Sequence, residues 1–179
     1  IPGNIGGAIA MNAGCYGSEI KDIADEVLIL ERDGELKSYN NEEMNFSYRN
    51  SIIKTDQIII EATFQGRHEN KSNIKEKIDA VISSREESQP SKVATGGSTF
   101  KNPKEAKAWE LINSSGLSGY KIGGAMISLM HNNFFINKGN ASAKDFERLG
   151  EFVIHEVEKH HGIRLEWEIH LIGESIDDI

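Results

Sequence analysis

The sequence has 179 residues, of which 38% are hydrophobic, and a formal net charge of −8 with a pI near 5.3. This apolar content is enough for one core or two small ones and excludes a disordered chain. The negative charge argues against a broad contact with nucleic acid, and no apolar run approaches the roughly 20 residues that span a bilayer. Because Cys15 is the single cysteine, no internal disulfide can form, and we expect a soluble, cytoplasmic protein.

The first third of the chain combines a glycine-rich segment with strand patterns. Residues 1–17 hold five glycines and read as a loop with one helical turn, where backbone can pass close to a ligand. The runs Glu26–Glu31 and Glu35–Tyr39 flank Asp33-Gly34, which predicts a β-hairpin. The Ile- and Thr-rich run Gln57–Gly66 predicts a further strand.

A helix is expected after this strand, because Asn73 precedes Glu76 by three residues as in a capping box. Ile74, Ile78, Val81 and Ile82 repeat on one face of this helix. Pro90 lies in its end region, and the polar, irregular stretch from Gln89 to Ala94 predicts a domain boundary.

The second half alternates short strands with helices. Residues 95–98 predict a glycine turn that leads into a short strand at Thr99-Phe100, and residues 106–115 predict a helix that Gly116 ends. A strand is expected at Asn133–Asn137. The mixture predicts an α+β fold without a regular βαβ period.

Two further elements are expected near the C-terminus. Ser142 caps a helix that Gly162 ends, with an apolar stripe of Phe146, Leu149, Val153 and Val157. Residues 165–171 alternate strictly between apolar and polar, which predicts a strand.

Local chemistry alone leaves every candidate site open. The glycine segment lacks both the dinucleotide-binding pattern and the P-loop lysine, and glycines of this kind often serve turns alone. Arg49 offers a cationic fork for a carboxylate or phosphate, although a loop arginine is usually solvated. Ser98 has no nucleophile-elbow context, and an exposed Glu168 would be unremarkable. We expect no metal site, because the zinc-helix pattern starting at His155 has Lys159 where histidine is required.

Five segments in order resemble the UDP-N-acetylenolpyruvoylglucosamine reductases. They are IPGNIGGA at 1–8, MNAGCYGSE at 11–19, FSYRNS at 46–51, GGSTFKNP at 96–103 and LEWEIHLIG at 165–173. The segments Arg85–Pro90 and His131–Asn137 resemble the shorter, second type of the family. The chain opens without an initiator methionine, so we expect a C-terminal part of such a reductase, without the first half of its flavin domain.

The resemblance implies a reaction. Family enzymes bind FAD, take hydride from NADPH and reduce UDP-N-acetylglucosamine enolpyruvate to UDP-N-acetylmuramate for the bacterial cell wall. Ser98 corresponds to the proton donor, and Arg49 and Glu168 correspond to the other two catalytic positions. Lys101 and Asn102 correspond to contacts with the substrate diphosphate or sugar, and Tyr48 and Gln89 are further substrate-binding candidates.

The resemblance also implies a cofactor site and a layout. The backbone that lies along the flavin corresponds to Ile1, Pro2, Gly3, Gly6, Gly7, Asn12, Ala13 and Gly14. Residues 1–89 would be the remaining part of a PCMH-type FAD-binding domain. Residues 90–164 would be a small α+β substrate-binding domain, and residues 165–179 a strand that returns to the flavin. A monomer is expected.

Two alternatives stay open. A flavin-free fragment of this enzyme could hold only the UDP-sugar, and another PCMH-type flavin oxidoreductase could share the fold. The GGSTFKNP segment disfavours the second of these alternatives.

Overall fold

The glycine-rich first segment folds as a short helix and a small hairpin in the computed structural model, which describes residues 3–173. Helix α1 spans Ile5–Ala10, and β1 (Gly14–Cys15) pairs antiparallel with β2 (Ser18–Glu19). A 3-10 turn at Ile20–Asp22 follows. The expected loop with one helical turn is therefore confirmed.

The hairpin expected around Gly34 is also present. Strand β3 (Ala24–Leu30) pairs antiparallel with β4 (Leu36–Asn40), and Gly34 between them has a φ of 88°. Glycine adopts this left-handed conformation without steric cost, so the Asp-Gly pair places the reversal. Strand β5 (Ile58–Phe64) pairs with the other edge of β3, which gives a three-stranded antiparallel sheet.

Helix α1 packs on this sheet through one apolar residue. Within residues 3–173, the cluster at this position has four buried members: Ile9, Val27, Ile29 and Met44. These buried residues come from α1, from β3 and from the turn that follows β4. The size of the cluster limits how much burial stabilises this part of the chain.

Helix α2 (Lys71–Ser88) differs from the expected helix. It starts before Asn73, whose Nδ2 donates to Oε1 of Glu69 at 3.1 Å, so Asn73 lies inside the helix rather than at its cap. The stripe Ile74, Ile78, Val81 and Ile82 is 39–53% exposed, and the helix has no buried residue. The predicted helix is therefore confirmed with an earlier start, and its apolar face is not buried within the described residues.

Four short strands form a second antiparallel sheet. They are β6 (Thr95–Ser98), β7 (Lys121–Ile122), β8 (Ala125–Ile127) and β9 (Phe134–Asn137), in the order β6-β9-β8-β7. The strand at Asn133–Asn137 is therefore confirmed within one residue. Residues 95–98 belong to a strand rather than a turn, because Gly97, with a φ of 86°, accommodates an irregularity in the pairing of β6 with β9.

Two helices cover this sheet as expected. Helix α3 (Ala108–Ser114) is followed by Gly116 at a φ of 74°. Helix α4 (Ala143–His161) starts at a capping box, in which Oγ of Ser142 accepts from the backbone N–H of Asp145 at 3.1 Å. It ends at Gly162 with a φ of 68°. Within residues 3–173, thirteen buried apolar residues form the core under these helices, including Leu149, Val153 and Val157.

The last predicted strand was wrong in extent. Within residues 165–173 a single bridge pairs Trp167 with Phe100, and no continuous strand forms. Trp167 packs on Phe100 with ring centroids 5.1 Å apart, so a bulky side chain anchors the segment instead of a long ladder.

Backbone contacts divide the chain into two compact units, unit 1 (Ile1–Ile78) and unit 2 (Asp79–Ile179). The division falls inside α2, while the domain ranges 1–89, 90–164 and 165–179 stay predictions. The mixed helices and antiparallel sheets confirm the α+β class. None of the helices in the described part of the chain is long and apolar enough to span a membrane.

Candidate functional site

In unit 1, the glycine segment (residues 3–14) leaves backbone open at two places. A Cβ added at Gly3 or Gly7 would meet no atom within 4 Å, and a Cβ at Gly6 would only touch Ile59 at 3.8 Å. Glycine inside a helix costs roughly 1 kcal/mol relative to alanine, and no packing at Gly7 requires it. Open backbone of this kind fits a flat ring that lies against the chain. The predicted cofactor residues Ile1 and Pro2 lie outside the described residues.

Asn12 is fully buried and its side chain is used inside unit 1. Its Nδ2 donates to Oε2 of Glu19 and to the carbonyl oxygen of Ser47, both at 3.0 Å. Its Oδ1 accepts from the backbone N–H of Lys21 at 3.0 Å. An amide has two donor hydrogens and one carbonyl oxygen, so these bonds occupy both hydrogens. Asn12 therefore shapes the segment, and a contact with a cofactor would have to use its backbone.

The neighbours of Asn12 are also engaged in local structure. The N–H of Ala13 donates to the carbonyl of Ala8 at 2.8 Å, and its carbonyl accepts from Ile20 at 3.0 Å. A Cβ at Gly14 would come within 2.6 Å of the carbonyl oxygen of Ser18. Only glycine fits where β1 meets β2 so closely.

Arg49 lies in a tight turn at residues 47–50, and residues 47–51 are here called the arginine turn. Ser47 and Asn50 exchange backbone hydrogen bonds of 3.0 and 3.2 Å, and Arg49 has a φ of 55°. A left-handed conformation at a residue other than glycine stores strain of order 1 kcal/mol and is typical of functional positions. The Arg49 guanidinium lies 4.9 Å from the ring centre of Tyr48, and its Nη2 donates to the carbonyl of Gly14 at 3.2 Å.

Three hydrogen bonds tie the arginine turn to the glycine segment. Asn12 binds the carbonyl of Ser47, Arg49 binds the carbonyl of Gly14, and Oγ of Ser51 donates to the carbonyl of Ala10 at 2.9 Å. The residues joined in this way are separated by 35 to 41 positions in the chain. Unit 1 therefore holds the predicted catalytic arginine and the predicted cofactor backbone as one assembly.

In unit 2, Ser98 begins a segment that we call the serine segment (Ser98–Asn102). Ser98 is half-buried and pairs with Phe134 across β6 and β9. The hydroxyl of Thr95 donates to the carbonyl of Phe135 at 2.8 Å and accepts from the N–H of Gly97 at 3.2 Å. These bonds fix the strand on the N-terminal side of Ser98.

The serine segment pairs with the segment that carries Glu168. The N–H of Glu168 donates to the carbonyl of Thr99 at 2.9 Å, and the N–H of Lys101 donates to the carbonyl of Glu166 at 2.8 Å. Glu168 is partly buried, and its Oε2 atom is shielded from solvent. The structure thus brings two predicted catalytic residues, about 70 positions apart in the chain, onto directly paired backbone.

The three predicted substrate-binding residues of unit 2 each contact a different part of the unit. Nζ of Lys101 lies 3.8 Å from Oε2 of Glu166, and the lysine side chain is 34% exposed. The side-chain oxygen of Asn102 accepts from the N–H of Ala108 at 3.0 Å, which satisfies a donor in the first turn of α3. Gln89 is partly buried and directly follows α2, where its backbone N–H donates to the backbone carbonyl of Arg85.

Sequence reasoning missed one buried polar residue beside the serine segment. Asn133 is 3% exposed, and its backbone carbonyl accepts from the N–H of Thr99 at 2.7 Å. An asparagine at the start of a strand carries no signal of its own, because Phe100, the partner of its side chain, lies 33 positions away.

Comparisons with known proteins find similar reductases. The family described as UDP-N-acetylenolpyruvoylglucosamine reductase, C-terminal domain, matches residues 89–172. A reductase of that name from Rickettsia conorii is 47% identical over 97% of this chain, and another from Methylorubrum populi is 47% identical over the same share. The crystal structure of a UDP-N-acetylenolpyruvylglucosamine reductase (MurB) from Thermus caldophilus superposes with a TM-score of 0.84 at 35% identity over 95% of this chain.

The chain is similar to the UDP-N-acetylenolpyruvoylglucosamine reductases over 97% of its length, and residues 89–172 match the C-terminal domain of that family. The resemblance predicted from five motifs is confirmed. The chain spans 59% and 56% of the two bacterial relatives and 60% of the solved chain. The roles of the individual residues stay predictions.

Proposed function

We propose that the chain is the catalytic and substrate-binding part of an enzyme that reduces UDP-N-acetylglucosamine enolpyruvate to UDP-N-acetylmuramate with FAD and NADPH. The observation that supports this most is the direct pairing of the serine segment with the segment of Glu168. Two family motifs that are far apart in sequence converge there. The proposed setting is the bacterial cytoplasm, in synthesis of the peptidoglycan precursor.

The residues of unit 1 fit a flavin. The open backbone at Gly3 and Gly7 would hold a flat ring, and the hydrogen bonds of Asn12 keep that backbone in shape. Glycine at these positions lets the ring approach more closely than any side chain would. When bound, the reduced flavin supplies the hydride that adds to C3 of the enolpyruvyl group.

Ser98 delivers the proton to C2 in the proposed reaction. A serine hydroxyl is a weak acid, so it transfers a proton only to a strongly basic, carbanion-like centre. The paired backbone on both sides of Ser98 fixes the position of its Cβ atom, which reduces the entropic cost of orienting the hydroxyl at the moment of transfer. The double bond between C2 and C3 is thereby reduced to the lactyl ether.

Arg49 stabilises the negative charge that spreads from C2 onto the substrate carboxylate. Its turn is held by three hydrogen bonds, so its position is set before the substrate arrives. A preorganised cation contributes more to the rate than a mobile one, because it needs no reorganisation during the reaction. Tyr48 beneath the guanidinium limits the directions in which it can move.

The remaining residues bind and orient the substrate. Lys101 supplies a cation for the diphosphate, and Asn102 and Gln89 supply amide groups for the diphosphate or sugar. Glu168 orients the substrate or a proton relay beside Ser98.

The decisive test compares two half-reactions of Ser98→Ala in a protein of the relatives' full length. We expect NADPH to reduce its flavin at the wild-type rate, while reoxidation by the enolpyruvyl substrate falls roughly 1,000-fold, as for loss of a general acid. Stopped-flow absorbance of the flavin measures both steps. Ser91→Ala, an exposed serine before β6, is the matched control and should change neither step. Unchanged reoxidation in Ser98→Ala would remove Ser98 from the mechanism.

A second candidate function applies to the 179-residue chain by itself, which spans 59% of the length of the Rickettsia conorii reductase. This piece could bind the UDP-sugar through unit 2 without holding a flavin. Titration with FAD, followed by quenching of flavin fluorescence, separates the two cases. Saturable quenching supports a flavin site in unit 1, and its absence together with measurable UDP-sugar binding supports the flavin-free alternative.

A further inference from the structure

The side chain of Asn133 forms a closed pair of hydrogen bonds with the backbone of the serine segment. Its Oδ1 accepts from the N–H of Phe100 at 2.9 Å, and its Nδ2 donates to the carbonyl of Phe100 at 2.7 Å. Asn133 is 3% exposed and Phe100 is 1% exposed, so water does not compete for these groups. The amide side chain thus acts as a short piece of β-strand.

The backbone N–H and carbonyl of Phe100 depend on the Asn133 amide, because both point away from residues 166–168, which pair with the other edge of the serine segment. The pairing with residues 166–168 uses the carbonyl of Thr99 and the N–H of Lys101, which leaves the N–H and carbonyl of Phe100 for the other side. A buried donor or acceptor that loses its partner is costly. The backbone of the serine segment would therefore shift if the amide were removed.

Asn133 holds two consecutive residues next to Ser98. Its backbone carbonyl accepts from the N–H of Thr99, and its side chain holds Phe100, whereas residues 166–168 hold the other edge. Ser98 lies one residue before this clamp and Lys101 lies one residue after it. Small displacements of reacting groups reduce rates strongly, since 1 Å costs roughly 100-fold.

We propose that Asn133 is a positioning residue, which holds the backbone of Thr99 and Phe100 so that Ser98 and Lys101 meet the substrate in the orientation that proton delivery requires. The inference rests on the proposed function and adds to it a residue that touches no substrate atom. It acts through the peptide groups of the serine segment.

Asn132 provides a matched control in the adjacent position. It is 5% exposed, its Nδ2 donates to Oδ1 of Asn113 at 3.0 Å, and its Oδ1 accepts from the hydroxyl of Ser118 at 3.0 Å. These bonds lead to the end of α3 and its following loop rather than to the serine segment. Asn132→Ala and Asn133→Ala therefore remove similar buried amides that have different hydrogen-bond partners.

The experiment measures flavin reduction and reoxidation in a protein of the relatives' full length. For Asn133→Ala we expect reduction by NADPH within about threefold of wild type and reoxidation by UDP-N-acetylglucosamine enolpyruvate slowed roughly 100-fold. For Asn132→Ala we expect a comparable loss of thermal stability with reoxidation within about threefold of wild type. Equal slowing in the two variants would mean that Asn133 is merely structural and would overturn the inference.

Asn133→Asp adds a readout that a structural role would not move. A carboxylate keeps the acceptor for the N–H of Phe100 but repels its carbonyl, whereas the protonated acid restores both a donor and an acceptor. Burial raises the pKa of such a carboxyl group, so protonation falls within an accessible pH range. We expect reoxidation in N133D, relative to wild type at the same pH, to recover as the pH falls. A ratio that does not change with pH would count against the inference even if Asn133→Ala does not fold.

The two hypotheses fail in different ways. If the wild-type protein reduces its flavin with NADPH but is not reoxidised by the enolpyruvyl sugar, the proposed function fails. If wild type turns over while N133A matches wild type, the proposed function survives and the inference fails.

Discussion

Unit 1 holds its predicted site residues mainly through side chains, whereas unit 2 holds them mainly through paired backbone. Arg49 sits in a strained turn that Asn12 and Ser51 attach to the glycine segment. Ser98 and Glu168 sit on segments joined by backbone hydrogen bonds. A hydrogen bond made by a side chain is lost when that one residue is substituted, whereas hydrogen bonds between backbone groups persist through most substitutions. Apart from Asn133, whose side chain holds Phe100, single polar changes should therefore affect unit 1 more than unit 2.

The two units also differ in how much apolar surface stabilises them. Among residues 3–173, four buried apolar residues form the cluster of unit 1 and thirteen form that of unit 2. The hydrophobic contribution grows with the area that is buried, so unit 2 is expected to hold its site by packing as well as by hydrogen bonds. The following three predictions test this difference.

The largest effect is expected from Asn12→Gly in unit 1. The change removes three hydrogen bonds but tolerates the φ of 40°, so we expect a loss of about 3 kcal/mol in the stability of unit 1. Amide hydrogen exchange of β3 and the arginine turn would report this loss. Exchange in β9 and α4 of unit 2 should change little.

Asn45→Gly is the control for Asn12→Gly. Asn45 also has a left-handed conformation, with a φ of 45°, but it is exposed. Glycine relieves strain there, so stability should stay within about 0.5 kcal/mol of wild type. Equal effects of the two variants would show that backbone conformation, and not the Asn12 network, determines the stability of unit 1.

An intermediate effect is expected from Gly150→Ala in unit 2. A Cβ at buried Gly150 would overlap the six-membered ring of Trp167, whose bridge to Phe100 holds the segment of Glu168. Overpacking costs about 1–3 kcal/mol, and alanine returns roughly 1 kcal/mol through helix propensity, so we expect a net loss of about 1 kcal/mol. Urea unfolding followed by tryptophan fluorescence measures it.

The double variant Gly150→Ala with Trp167→Phe tests the cause of this loss. A smaller ring makes room for the methyl group, so the double variant should lose less than the sum of the single variants. Glu151→Ala, an exposed position on the same helix, should be neutral. Stabilisation by Gly150→Ala would show that helix propensity outweighs packing at α4.

The smallest effect is expected from pH and concerns His131. Burial lowers the pKa of its imidazole, and its Nδ1 accepts from the N–H of Asn133 at 3.3 Å, so the folded state favours neutral histidine. The unfolded chain binds the proton first, at its ordinary pKa of about 6.5. The contribution of neutral His131 to the unfolding free energy should thus be complete above the unfolded-state pKa of about 6.5 and should decline as the pH falls below that pKa.

Comparison with His131→Gln isolates this contribution. The difference in unfolding free energy between wild type and variant should shrink between about pH 7.5 and about pH 5. A constant difference between wild type and His131→Gln would show that the protonation of His131 is not linked to folding.

Much of the fold follows from local sequence signals. The Asp33-Gly34 turn, the cap at Ser142 and the end at Gly162 each depend on residues a few positions apart, and all three were predicted. The family was recognised from the order of five motifs, which is also a property of the sequence alone.

What the tertiary structure decided is the pairing of distant residues. The exposed stripe of α2 and the single bridge at Trp167 depend on which surfaces lie opposite, and periodicity does not encode that. Asn12 and Asn133 acquire their roles from partners 35 and 33 positions away. The residue type determines which hydrogen bonds a side chain can donate or accept. Its partner is determined only when the chain has folded and excluded water from both groups.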